Sequence, residues 1–93
     1  MKVNQETVEI LRPFLSGEQR LLYQDILTVL SVASDSSERV AKTLWRNHHP
    51  VGGAEVRDAL RALREVNVVK FHAGKWHLHP HVLVSLDAIL CSV

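Results

Sequence analysis

Between residues 52 and 79 the spacing of the apolar residues changes from a helical period to the alternation of a β-strand. Val56, Leu60 and Leu63 recur every three or four residues, as on the buried side of an amphipathic helix. The period then becomes two, with apolar residues at Val69, Phe71, Trp76 and Leu78. This change of period predicts a helix over residues 53–67 that runs directly into a β-hairpin.

A two-residue turn at Ala73-Gly74 is predicted to set the register of the hairpin. The predicted pairs are His72 with Lys75, Phe71 with Trp76, and Val69 with Leu78. They place the four apolar residues on one face, toward the core. The other face then carries Val68, Lys70, His72, Lys75, His77 and His79.

Capping and helix-breaking residues divide the beginning of the chain into two helices. Asn4 can cap the first helix, and Pro13 is predicted to end it, because proline disfavours helical geometry in the residue before it. Ser16 and Gln19 have the spacing of a capping box. They are therefore predicted to open a second helix over about residues 17–33.

Two further helices are expected on either side of the helix-to-hairpin stretch. Asp35 and Glu38 can cap a helix over about residues 36–47. Its predicted buried residues are Val40, Ala41 and Leu44, with Trp45 as a further candidate. Pro80 suits the first turn of a final helix, which is predicted over residues 81–91 and is apolar nearly all round.

The size and composition of the chain predict one small intracellular domain. The chain has 93 residues, of which 46% are hydrophobic. Its single cysteine, Cys91, excludes an intrachain disulfide and fits a reducing compartment. We expect a soluble cytoplasmic protein without a membrane partner, because the chain has neither a transmembrane-length apolar run nor an apparent signal peptide.

The charge of the chain is small but unevenly distributed. The formal net charge is only +1. Residues 36–93 carry eight Lys and Arg against five Asp and Glu, and they also hold all six histidines. This asymmetry indicates an anionic partner for the second part of the chain.

The helix-to-hairpin stretch resembles a winged helix-turn-helix, the fold of MarR-like and ArsR-like regulators. The resemblance covers residues 35–79 and carries no catalytic motif. It implies a mainly α fold with a small β-hairpin and flanking N- and C-terminal helices. Residues 1–93 would form a single domain: an N-terminal helix over 1–15, a winged-helix core over 16–79, and a C-terminal helix over 80–93.

Arg57, Arg61 and Arg64 lie on one stripe of the predicted helix, at positions i, i+4 and i+7. In winged-helix DNA-binding proteins this is the recognition helix, which enters the major groove, where arginine can hydrogen-bond guanine or bind phosphate. The resemblance therefore implies a transcriptional regulator that binds double-stranded DNA. Its hairpin would form a basic wing over the flanking backbone. The wing residues implied are Lys70, His72, Lys75 and His77.

A protein-protein interaction module without DNA binding is the alternative hypothesis, because winged helices also serve in larger assemblies. Glu55 and Asp58 on the same helix favour it. The arginine stripe could then be a solvated face with weak Asp58–Arg61 and Arg61–Glu65 ion pairs. The two hypotheses differ in surface potential. A continuous positive stripe favours DNA, whereas a stripe interrupted by carboxylates favours a protein.

The residues after Pro80 predict a homodimer. MarR-like and ArsR-like regulators often dimerise through helices that flank the DNA-binding core, and the final helix here is more apolar than one small core can bury. The predicted interface residues are Val84, Leu86, Ala88, Ile89 and Cys91.

Neither a catalytic site nor a cofactor is expected. Alternating His77, His79 and His81, with His72 nearby, could suit a transition metal, but no second cysteine or nearby carboxylate completes a ligand set. We therefore expect no structural metal. Cys91 close to the end of an apolar helix is predicted to serve packing rather than nucleophilic catalysis, so we expect no enzyme.

Overall fold

The computed structural model describes residues 5–47 and 49–83, which form a mainly helical fold with one small antiparallel hairpin. In chain order the elements are α1 (Gln5–Ser16), α2 (Arg20–Val32), α3 (Ser37–Arg46), α4 (Gly53–Glu65), β1 (Val69–His72) and β2 (Lys75–Leu78). Residues 80–83 are again helical. The predicted cap at Asn4 and most of the predicted final helix lie outside the described residues. No described helix is long and apolar enough to cross a membrane.

The prediction that Pro13 ends the first helix is wrong, because α1 continues through Pro13 to its last residue, Ser16. The additional turn buries Leu15 and packs the ring of Phe14 against Tyr23 of α2, with ring centroids 5.0 Å apart. These tertiary contacts offset the local cost of a proline inside a helix.

The predicted capping box at Ser16 and Gln19 is also wrong. Ser16 belongs to the last turn of α1, where its hydroxyl donates to the carbonyl oxygen of Arg12 at 2.6 Å. Gln19 precedes α2, but its side chain makes no capping hydrogen bond. The second helix therefore begins at Arg20, three residues later than the spacing predicts.

The third helix is capped by Ser36 rather than Asp35. The Ser36 hydroxyl accepts a hydrogen bond from the backbone N–H of Arg39 at 3.3 Å. Asp35 is drawn into a β-bridge with Trp76: the Trp76 N–H donates to the Asp35 carbonyl at 2.8 Å, and the Asp35 N–H donates back at 3.3 Å. This long-range pairing ties the start of α3 to β2.

Helix α4 ends in a left-handed residue that turns the chain into the hairpin. Asn67 has a φ of 61°, and its N–H donates to the carbonyl of Arg64, while the Val68 N–H donates to the carbonyl of Leu63. This pair of bonds is a Schellman motif, which commonly brings the following apolar residue against the helix. Val68 is accordingly buried, so its predicted place on the outer face with Lys70 is wrong.

The predicted register of the hairpin is confirmed. The observed pairs are Val69 with Leu78, Lys70 with His77, Phe71 with Trp76, and His72 with Lys75. Ala73 and Gly74 both have positive φ, 53° and 77°, as a tight turn between twisted strands requires. Val69, Trp76 and Leu78 are buried as predicted.

Phe71 departs from the prediction, because 49% of its surface is exposed. It lies nearer the turn than Val69, and all of residues 70–75 are exposed. Alternation correctly places Phe71 on the same face as its neighbours. The part of the hairpin that carries it projects beyond the core, so this face is not covered there.

The core is one cluster to which every described element contributes. In α3 the buried residues include Val40, Ala41 and Leu44, as predicted. Trp45 is 62% exposed, so its predicted burial is wrong, and its indole N–H donates to the carbonyl of Val51 at 2.9 Å. A second contact, between His49 Nδ1 and the Asp25 carboxylate, links the loop between α3 and α4 to α2.

Candidate nucleic-acid interface

The three arginines of α4 line one side of an open groove of about 460 Å³. The start of α3 contributes Ser36, Ser37 and Glu38, and the hairpin contributes Phe71, Gly74 and Trp76. The start of α3 and the hairpin therefore both face the arginine stripe. The sequence predicts that Arg57, Arg61 and Arg64 share a helix face, and the fold shows what surrounds that face.

The bridge between Asp35 and Trp76 holds two sides of the groove together. It places the cap of α3 beside the buried indole of Trp76, which is 5% exposed. The start of α3 in this groove consists of Ser36, Ser37 and Glu38, and the Ser36 hydroxyl already accepts the Arg39 N–H.

The arginines are exposed and not engaged with carboxylates. Within the described chain, Arg57, Arg61 and Arg64 have no salt bridge, and the weak pairs predicted with Asp58 and Glu65 do not form. Arg64 lies over the Trp76 ring, with its guanidinium carbon 5.8 Å from a ring centroid, which is within cation–π range. The guanidinium groups are thus available to an external acceptor.

The carboxylates that could interrupt the positive stripe lie mostly outside the groove. Glu55, Asp58 and Glu65 are exposed on α4 but do not line it, whereas Glu38 at the start of α3 does. Among the described lining residues three cations face one carboxylate. The lining residues of the groove therefore carry a local excess of positive charge.

On the hairpin side of the groove, one aromatic residue is buried and the other is about half exposed. Trp76 packs into the core, and the Phe71 ring lies against it with centroids 4.8 Å apart and an interplanar angle of 56°. About half of Phe71 remains exposed beside the arginines. The groove therefore combines free cations with an accessible aromatic surface.

The predicted wing residues lie around the hairpin rather than in the groove. Lys70, His72 and Lys75 are exposed, and none of them lines it. His77 was expected on the outer face but is half-buried, and its Nε2 is buried without a hydrogen-bond partner among the described residues. Lys70, His72 and Lys75 are accessible to a partner, whereas His77 is only partly so.

The histidines near the hairpin do not gather into a metal site within the described chain, where no group of three His, Cys, Asp or Glu side chains is placed to hold a metal ion. The ring centroids of His79 and His81 are 5.4 Å apart. Desolvation lowers the pKa of His79, and the neighbouring positive charges of His81 and Lys70 lower it further.

The predicted site residues do not include a second group of cations, which lies on α3. Arg39, Lys42 and Arg46 line a separate surface depression of about 420 Å³ together with Asp35 and Thr43. Their spacing of i, i+3 and i+7 is the signal that could have identified them. They project from α3 away from its buried residues and outside the α4 groove.

The predicted dimer interface lies outside the described residues. Its members are Val84, Leu86, Ala88, Ile89 and Cys91. In the described part of the same segment, Val82 is buried and Leu83 is 48% exposed.

Comparisons with protein-family models, with characterised proteins and with solved structures found no match to this chain.

Proposed function

We propose that this protein is a winged-helix DNA-binding transcriptional regulator, with α4 as its recognition helix and the β1–β2 hairpin as its wing. The observation that carries the proposal is the groove in which Arg57, Arg61 and Arg64 lie together without an ion pair to a described residue. The element order supports it, since α3, a loop, α4 and a hairpin follow one another as in a winged helix-turn-helix.

The proposed binding mode assigns different tasks to the cations. Arg57 and Arg61 lie nearer the start of α4, the part of a recognition helix that usually contacts base edges. Arg64 is held over Trp76, so it is better placed for the backbone than for deep insertion. The exposed Lys70 and Lys75 would contact the flanking phosphates.

Duplex binding at two salt concentrations tests this proposal. Mixed-sequence duplexes should bind more weakly at the higher salt concentration, because each neutralised phosphate releases counterions. Replacing Arg57 and Arg61 by alanine should reduce affinity by about 1–3 kcal/mol for each lost base contact and relax sequence preference. Replacing Arg12 and Arg20, exposed on α1 and α2, removes the same charge as a control. Salt-insensitive binding, or full affinity in the Arg57 and Arg61 variant, would remove the DNA proposal.

A protein partner is the second candidate function, and the half-exposed Phe71 is the observation that favours it. Aromatic residues and arginines are enriched at protein interfaces, and the Glu38 carboxylate could pair with a cation of such a partner. A protein co-purified with the intact chain, and released by Phe71→Ala in the absence of any duplex binding, would support this candidate over DNA.

A homodimer is the state we propose for DNA binding, and it rests on the apolar pattern of residues 82–91. Sedimentation should give twice the chain mass of 10.5 kDa. Leu86→Glu or Ile89→Glu should yield monomer or aggregate. A monomeric unmodified protein at high concentration would exclude the dimer.

A further inference from the structure

The α4 groove has a feature that duplex readout does not require, which is an open aromatic surface within reach of the arginine stripe. The Phe71 ring packs on Trp76 and leaves 49% of the residue exposed, and both residues line the groove with Arg57 and Arg61. A half-exposed aromatic ring supported from below by a second ring can stack on another flat ring. The hairpin side of the groove is therefore suited to a planar group.

The α4 side of the groove is suited to phosphate. Arg64, which the proposed binding mode assigns to the backbone, forms no ion pair with a described carboxylate. Its guanidinium carbon lies 5.8 Å from a centroid of the Trp76 ring on which Phe71 packs. Guanidinium groups bind phosphate oxygens through two parallel hydrogen bonds. A ligand that contacts both sides of the groove needs a planar ring and a phosphate group close together in one molecule.

The geometry points to an unpaired nucleotide of a nucleic-acid strand as the group that occupies this groove, with its base stacked on Phe71 and its phosphate bound by Arg64. This inference rests on the proposed DNA-binding function and adds a preference for strands with an unstacked base. A paired base has both faces covered by its neighbours in the duplex and cannot offer a face to Phe71.

The inference is tested by comparing a fully matched duplex with the same duplex carrying one unpaired 2-aminopurine. The unmodified protein should bind the second duplex more tightly by about 5- to 150-fold, the range expected for one stacked base. The 2-aminopurine fluorescence should change on binding, because the base exchanges its neighbours in the duplex for the Phe71 ring.

Three variants separate stacking from other effects of substitution. Phe71→Leu keeps an apolar side chain but removes the ring, so the tighter binding of the duplex with the unpaired base and the fluorescence change should both be lost. Phe71→Tyr keeps the ring and should retain both. Leu83→Ala is the matched control, since Leu83 is 48% exposed but does not line the groove, and it should behave like the unmodified protein.

The outcomes distinguish this inference from the function on which it rests. Equal affinity for the two duplexes, without a fluorescence change, would overturn the unpaired-nucleotide site and leave DNA binding in place. No salt-dependent binding to either duplex would overturn both. Adenosine monophosphate that competes as strongly as the unpaired strand would assign the groove to a free nucleotide and overturn the strand assignment. A phosphotyrosine peptide that binds more tightly than the strand would do the same in favour of a protein.

Discussion

Helices α3 and α4 each carry three cations at nearly the same spacing, but the two stripes lie in different surroundings. Arg39, Lys42 and Arg46 project from α3 into a depression whose other lining residues are Asp35 and Thr43. The α4 stripe faces the cap of α3 on one side and the aromatic pair of the hairpin on the other. Equal charge is thus lined only by residues of α3 and the neighbouring Asp35 in one case, and by residues of α3, α4 and the hairpin in the other.

The difference lies in what the neighbouring elements contribute. The α4 groove exists because the bridge between Asp35 and Trp76 joins α3 to β2, and because the hairpin extends past the core. The α3 stripe has no comparable aromatic neighbour among its lining residues. A cluster of cations attracts any anion, whereas specificity needs further groups at fixed positions around it.

The largest expected effect concerns the tryptophan beneath the groove. Trp76→Ala should reduce the free energy of unfolding by about 3–5 kcal/mol, because it leaves a cavity under the hairpin. Trp45→Ala on α3 is the matched change. It should cost only about 1 kcal/mol, because Trp45 is 62% exposed and loses mainly one hydrogen bond to Val51. Urea denaturation of both variants measures the contrast, and equal losses would contradict it.

The second effect compares the two arginine stripes directly. Arg57→Ala with Arg61→Ala should weaken duplex binding by about 1–3 kcal/mol per base contact and alter sequence preference. Arg39→Ala with Arg46→Ala removes the same charge from α3. It should weaken binding less and by the same factor for every sequence, because that charge acts through the long-range field. A loss from the α3 variant as large and as sequence-dependent as that from α4 would show that both stripes read DNA.

A smaller effect is expected for single lysines. Lys75→Ala on the hairpin should weaken binding to all sequences alike and reduce the slope of log affinity against log salt by about one unit. Lys42→Ala on α3 should leave that slope unchanged if the DNA contacts only the groove side. Titrations over a salt series measure both slopes. Equal reductions would mean that the DNA also contacts α3.

The smallest expected effect is on the pH dependence of stability, and it concerns His79 rather than the groove. Because desolvation, His81 and Lys70 lower the pKa of His79 below its ordinary value of 6.5, the folded protein holds fewer protons than the unfolded chain just below that pH. The free energy of unfolding should therefore fall as pH is lowered below 6.5. In His79→Gln this decrease should be smaller. An unchanged pH dependence in the variant would exclude His79 as its cause.

The comparison of α3 with α4 also shows how far sequence reasoning reaches. Helical spacing correctly places Val40 and Leu44 in the core, and the Ala73-Gly74 turn correctly predicts the hairpin register. Local rules fail where distant contacts compete with them. Asp35 pairs with Trp76 instead of capping α3, and α1 passes through Pro13 to bury Leu15.

The sequence by itself determined the helices around the core, the hairpin and the stripe of Arg57, Arg61 and Arg64, because periodicity and turn chemistry depend on neighbouring residues. Only the tertiary structure decided that this stripe faces Phe71 and the start of α3, while the α3 stripe does not. The physical reason is that a side-chain pattern specifies which face is apolar or charged. Which elements cover that face depends on pairings between residues far apart in the chain, such as that of Asp35 with Trp76.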